Sequence, residues 1–156
     1  MARETRATRL VEVAHIPAAP ARFTNSVDLA ITPQQLSEVL ADADAWPHWA
    51  TAITRGPWTR PVEMQGGIVG EEVFLDWDPP RTMAFCFTRT NAPGMAAFGE
   101  HYVVVPTAEG CRLTWTLSMW PTGAQRWILK LFAPVLDITF SSFLKKLRRY
   151  TDRRFA

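Results

Sequence analysis

From Thr122 to about Arg153 the apolar residues return at helical spacing: Trp127, Ile128, Leu131, Phe132, Val135, Ile138, Phe143, Leu147 and Tyr150 fall three, four and seven positions apart. The pattern predicts one long helix, with Pro134 kinking it near its middle and Lys130, Asp137 and Arg148 on the opposite face. A helix this apolar must lay one side against something, so the rest of the chain has to supply a matching face.

Four extended segments precede it: Ile68 to Trp77, Thr82 to Arg89, Gly99 to Val105 and Cys111 to Trp120. Asp78-Pro79-Pro80, Asn91-Ala92-Pro93-Gly94 and Thr107-Ala108-Glu109-Gly110 separate them, and each separator is turn chemistry. In the last segment Leu113, Trp115, Leu117 and Met119 alternate with Arg112, Thr114, Thr116 and Ser118, which makes one sheet face apolar and the other wet. An earlier strand runs from Arg22, with Phe23, Asn25, Val27, Leu29 and Ile31 on one face. Thr32-Pro33-Gln34-Gln35 then reads as a helix start, with Thr32 as N-cap, Pro33 in the first turn and Gln35 completing a capping box. A second short helix over Ala43 to Ala45 ends before Pro47, leaving Trp46 and Trp49 on a corner, and a short strand over Thr51 to Trp58 follows. Residues 1–21, with Arg3, Arg6, Arg9, Pro17 and Pro20, read as a flexible or loosely docked arm.

Composition narrows the function classes. The 156 residues fit a single domain with a real core, 47% being hydrophobic and 21% charged. Seven Trp and nine Phe against two Tyr mean that most large rings carry no hydroxyl to satisfy when buried. A net charge of +2 is too small for the whole-domain basic footprint of a nucleic-acid binder, so no nucleic-acid partner is expected. Cys86, Cys111 and three scattered histidines form neither a CxxC pair nor a ligand cluster; no metal and no cofactor are expected, and a reducing, cytoplasmic location is. No uninterrupted run of ~18 apolar residues is seen, so a membrane span is not expected either.

Three landmarks carry a family resemblance: Asp42-Ala43-Asp44-Ala45-Trp46-Pro47-His48-Trp49, then Glu72-Val73-Phe74-Leu75-Asp76-Trp77-Asp78-Pro79-Pro80-Arg81, then Gly110-Cys111-Arg112-Leu113-Thr114-Trp115-Thr116. From about Asn25 to Tyr150 the chain resembles the polyketide cyclase/dehydrase branch of the START-like (SRPBCC) superfamily, and in particular its small actinobacterial members. The resemblance implies an α+β helix-grip fold over residues 22–156: a curved antiparallel sheet wrapped around a long C-terminal helix, with two short helices after the first strand. It also implies a cavity between sheet and helix for an apolar ligand such as a lipid, sterol or polyketide. In one respect the chain departs from its relatives, because only Thr59-Arg60-Pro61-Val62 separate Trp58 from Glu63 where a longer hairpin is usual.

Within that fold the expected ligand-contacting residues are Trp46, Trp49, Phe85, Phe87, Phe98, Trp115, Leu117, Leu131, Val135 and Ile138, with Thr139 and Ser142 as polar members. Cyclisation or dehydration needs a proton donor or acceptor near the ligand, and Glu100 and His101 are the candidates. Being adjacent on a strand they point to opposite faces, so one of them at most enters a cavity. Glu72 and Asp76 share a strand face by simple alternation and read as solvent-facing. The leading expectation is binding and transfer of a hydrophobic small molecule. The alternatives are a cyclase or dehydratase using Glu100 or His101, and a protein-interaction module with a filled core. Lys145, Lys146, Arg148, Arg149, Arg153 and Arg154 crowd the helix end, where they complement its dipole or meet an anionic membrane surface.

Overall fold

A computed structural model describes residues 4–51, 53–55, 62–64 and 66–156. Its strands are β1 (Arg6–Ala7), β2 (Ala21–Leu29), β3 (Ile53–Arg55), β4 (Val62–Met64), β5 (Ile68–Asp78), β6 (Thr82–Thr90), β7 (Met95–Thr107) and β8 (Gly110–Pro121). The helices are α1 (Pro33–Ala41), α2 (Trp46–Trp49) and α3 (Gln125–Arg154). The strands form one antiparallel sheet in the order β2-β8-β7-β6-β5-β4-β3, with β1 added on β6. α3 runs for 30 residues, about 45 Å at 1.5 Å per residue, and packs against β2, β8 and α2. This is the expected α+β helix-grip arrangement.

The turn chemistry and caps act where the sequence puts them. Gln35 N–H donates to Thr32 Oγ1 at 3.2 Å while Thr32 N–H donates to Gln35 Oε1 at 2.9 Å, closing the capping box at the start of α1. Thr32→Ala is expected to lower stability by about 1 kcal/mol in urea unfolding, the ordinary cost of losing such a cap. Gly110 opens β8 at φ +153°, and a Cβ there would lie 2.1 Å from Leu29 O, so glycine is what allows β2 and β8 to meet at this end.

Four expectations change. Residues 4–21 are docked rather than loose. Thr8 N–H donates to Thr88 O at 3.0 Å and Arg9 N–H to Ala96 O at 2.8 Å, so the arm bridges the ends of β6 and β7 beyond Cys86 and Gly99, where the direct pairing of those strands stops. A 3-10 turn, Val13–Ala18, follows. Val11 and Ile16 are buried on the convex sheet face, where Val11 clusters with Cys86 and Ala97. Pro47 does not stop a helix but lies in the first turn of α2, a position that has no need of its missing donor. α3 passes through Pro134 as one continuous helix, and by length and composition it contains an 18-residue stretch apolar enough to cross a bilayer, although ten charged residues are spread over the helix as a whole. The short segment between Trp58 and Glu63 falls largely outside the described residues.

The fourth change is in β5. Its pairing with β6 slips between Glu71 and Glu72 and again between Phe74 and Asp76. Phe74 pairs with Phe85, whose ring lies on the concave side, whereas Asp76 pairs with Ala84, the next residue back, on the convex side. The bulge therefore sends two residues that simple alternation would align to opposite faces. Glu72, upstream of the slip and opposite Phe87, is buried (3% exposed) rather than solvent-facing.

Candidate functional site

The concave face of β7 and β8 carries Phe98, Glu100, Tyr102, Trp115, Leu117 and Met119. α3 covers it with Phe140 and Phe143, and Trp46, Ala50 and Met64 close the sides. Between these groups lies a cavity of about 200 Å³. The chemistry of its wall is one-sided: aromatic rings, aliphatic chains and two thioethers, with Glu100 the only carboxylic acid among the described lining residues.

Glu100 is held by its neighbours. Tyr102 Oη donates to Glu100 Oε2 at 2.5 Å and Trp115 Nε1 donates to the same oxygen at 2.7 Å. Both donors meet Oε2, and Oε1 carries neither. Burial pushes the acid from its ordinary 4.5 up to about 7, against the two donors, which favour the ionised form. The same burial, with the charge of Glu100, holds the Tyr102 phenol well above its ordinary value. Near neutral pH the cavity thus contains a carboxyl shared between protonated and ionised forms, in a place otherwise suited to apolar matter.

The rings around it are ordered in two layers. Trp46, Phe98, Trp115 and Leu117 line the space directly. Trp49, Phe85 and Phe87, expected at the wall, stand one layer behind it and hold the wall in place. Trp49 packs on Trp46 at 4.7 Å and edge-on to Trp115 at 6.5 Å. Phe85 stacks on Tyr102 at 6.1 Å, and Phe87 on Phe98 at 4.3 Å. Trp49 Nε1 is buried without a hydrogen-bond partner among the described residues.

The helix residues are corrected most. Leu131, Val135 and Ile138 are 75%, 59% and 70% exposed, on the side of α3 that faces away from the sheet. Thr139 Oγ1 donates to Val135 O at 2.8 Å and Ser142 Oγ to Thr139 O at 2.7 Å, so both hydroxyls are engaged by α3's own backbone. The helix meets the cavity instead through Phe140 and Phe143. His101, adjacent to Glu100, points to the opposite, convex face, where Asp76 raises its basicity less than burial lowers it. It is therefore not an acid or base for this cavity. Ala50, Met64, Tyr102, Met119, Phe140 and Phe143 were not among the expected contacts. For the two phenylalanines a signal existed: Leu136, Phe140, Phe143 and Leu147 form a helical row that stays apolar up to the buried Thr151, whereas the row through Leu131 and Ile138 runs into Lys145 and Arg149.

This geometry of sheet, long helix and enclosed carboxyl agrees with what the chain is similar to. Residues 20–152 match the family described as polyketide cyclase / dehydrase and lipid transport. The chain belongs to that family. An uncharacterised Mycobacterium tuberculosis protein is 50% identical over 148 residues, which span 88% of this chain and 89% of that one. Among solved structures, a Thermus thermophilus protein superposes with a TM-score of 0.68 over 86% of this chain and 99% of its own, at 14% identity. The di-domain ARO/CYC StfQ from the steffimycin biosynthetic pathway superposes with a TM-score of 0.65 over 86% of this chain and 51% of StfQ, also at 14% identity. At such identities these structural likenesses establish the fold alone.

Proposed function

We propose that this family member binds a small apolar molecule of one or two fused rings in the cavity beneath α3, with Glu100 holding the molecule's single polar group. The observation that carries the reading is the placement of one buried, protonatable carboxyl in an otherwise apolar and aromatic wall. Size supports it, because about 200 Å³ lies below the ~300–1,000 Å³ usual for drug-sized ligands and favours a compact ring system over a sterol. The family's association with lipid transport and with polyketide chemistry supports an apolar ligand in general.

A protonated Glu100 donates a hydrogen bond to a ligand carbonyl, and an ionised one does not. Calorimetric titration with 1-tetralone, a bicyclic ketone, is therefore expected to give binding that weakens up to tenfold per pH unit above about 7, as the proton is lost. Tetralin, which lacks the oxygen, is expected to bind more weakly and without that pH dependence. Absence of heat for both compounds, together with no co-purifying small molecule in native mass spectrometry, would sink the reading.

A second reading draws on the same carboxyl. An acid that titrates near 7 can both give and take a proton at neutral pH, the requirement for enolisation or for loss of water. In a cyclisation Glu100 would give its proton to the ketone oxygen as the ligand's own enol supplies the electron pair of the new carbon–carbon bond, and the carboxylate so formed would take the proton lost from the enol oxygen as that carbonyl re-forms. Glu100→Gln would then keep 1-tetralone binding but abolish conversion of a tethered 1,3-diketone. Equal turnover by both proteins would remove the catalytic role and leave the binding role standing.

A further inference from the structure

α3 has two apolar faces, and only one of them is used by the fold. Trp127, Ile128, Leu131, Phe132, Val135 and Ile138 are 46% to 75% exposed, a row on the outer side of the helix about three turns long. At 100° per residue the same outer row continues through Lys145, Arg149 and Arg153, with Lys146 at its flank, where its Nζ donates to Thr51 Oγ1 at 2.8 Å. The outward stripe of one helix is thus divided along its length: apolar in the half towards Gln125, basic in the half towards Arg154. Charge is concentrated to match. α3 holds eight Lys and Arg against two acids, Asp137 and Asp152, in a chain that carries only +2 overall, so the remainder of the protein is net acidic. Both acids are engaged: Asp137 Oδ1 accepts from Asn25 at 3.1 Å, and Asp152 lies 4.0 Å from Arg148. Beside the basic half is a hollow of about 230 Å³ lined by His48, Lys146, Arg149, Tyr150 and Arg153, with no acid among them.

We propose that the outer face of α3 docks on an anionic lipid bilayer, its apolar half entering the interface and its basic half, with the hollow, seated on phosphate headgroups. Charge complementarity singles out this occupant. A second copy overlapping the whole stripe would set cations on cations in a parallel pairing, or cations on apolar side chains in an antiparallel one. An anionic bilayer offers hydrocarbon and negative charge side by side, and satisfies both halves together. Trp127, with Lys130 5.9 Å from its ring centroid, is the kind of side chain that settles at the headgroup level. The cavity lies under the opposite side of the same helix, through Phe140 and Phe143, so docking would bring it next to the membrane. The docking itself does not depend on whether the cavity takes a ligand.

The test is co-sedimentation of the full chain with vesicles of two parts phosphatidylcholine to one part phosphatidylglycerol, beside vesicles of phosphatidylcholine alone. Binding is expected only with the anionic vesicles and is expected to fall as salt is raised, because exposed charges are screened. Lys145→Gln with Arg149→Gln is expected to weaken partitioning about 30-fold, roughly fivefold per charge. Leu131→Ser with Ile138→Ser is expected to weaken it about tenfold or more. Those side chains are largely exposed, so unchanged thermal unfolding should accompany the loss. Leu10→Ser, at an exposed apolar residue of the docked arm, is expected to leave binding unchanged. The proposal is overturned by absence of binding, by equal binding to both vesicle types, or by indifference to both pairs of substitutions. It is equally overturned if sedimentation velocity shows a dimer that Leu131→Ser with Ile138→Ser dissolves, which would assign the face to a second copy.

Discussion

Replacing Glu100 by Gln is expected to make the protein more stable than the wild type at about pH 8, by on the order of 3 kcal/mol, and to leave the two equal near pH 4 to 5. The carboxyl titrates at about 7 in the folded chain and at 4.5 ordinarily, so between those values the folded protein holds a proton that the unfolded chain has released. The unfolded state then binds fewer protons, and stability falls as pH rises through that window, levelling off above about 7. A Gln side chain copies the shape of the protonated acid and cannot ionise, so the variant lacks the fall. Its Oε1 can still accept from Tyr102 Oη and Trp115 Nε1. Urea unfolding of both proteins from about pH 5 to about pH 8 checks this. Parallel curves would mean that Glu100 is ionised at all these pH values, and would remove the basis for a proton-donating carboxyl in the cavity.

The same residue shows what a sequence can and cannot decide. Period-two alternation puts Glu100 with Tyr102 and Val104, and His101 with Val103 and Val105, but leaves open which set faces inward. The choice follows from the neighbouring strand, because Trp115 pairs with Tyr102 across β7 and β8 and its indole reaches Glu100. That is a contact across 15 positions in sequence. The capping box of α1 is legible because it is local, a contact between residues three apart. Asp76 is misplaced by alternation for the complementary reason. A β-bulge adds one residue to one strand, and nothing in Phe74-Leu75-Asp76 records where its partner strand slips. In α3 the two apolar rows are both visible in the sequence, and the expected contacts belong to the wrong one. The buried row is the one that remains apolar as far as Thr151, near the end of the helix; the row that turns basic needs water or a charged partner along half its length. The docking of the arm, too, is invisible locally, since Val11 and Ile16 are buried by strands some 70 to 110 positions away.

Leu117→Trp is expected to abolish ligand uptake, weakening 1-tetralone binding ~100-fold or more by occupying its place, while the protein unfolds at the same temperature as the wild type or a higher one. Leu117 is on a central strand, faces Phe23 across β2 and Glu100 across β7, and lines the cavity. In a filled core the larger ring would have to displace neighbours, at a typical cost of ~1–3 kcal/mol. Here the space exists already. The pocket of about 200 Å³ is walled by apolar side chains, and an indole placed in it gains contacts that Leu117 does not make. The opposite signs of the two effects are what make the experiment informative. A binding site kept open at the expense of stability gives lost binding with equal or higher stability, whereas an interaction module with a filled core gives a destabilised protein. Calorimetry with 1-tetralone and a thermal melt of the same sample read both. A melting temperature well below that of the wild type would show that the space is not there to be filled, and with it the reading of this cavity as a ligand site would fail.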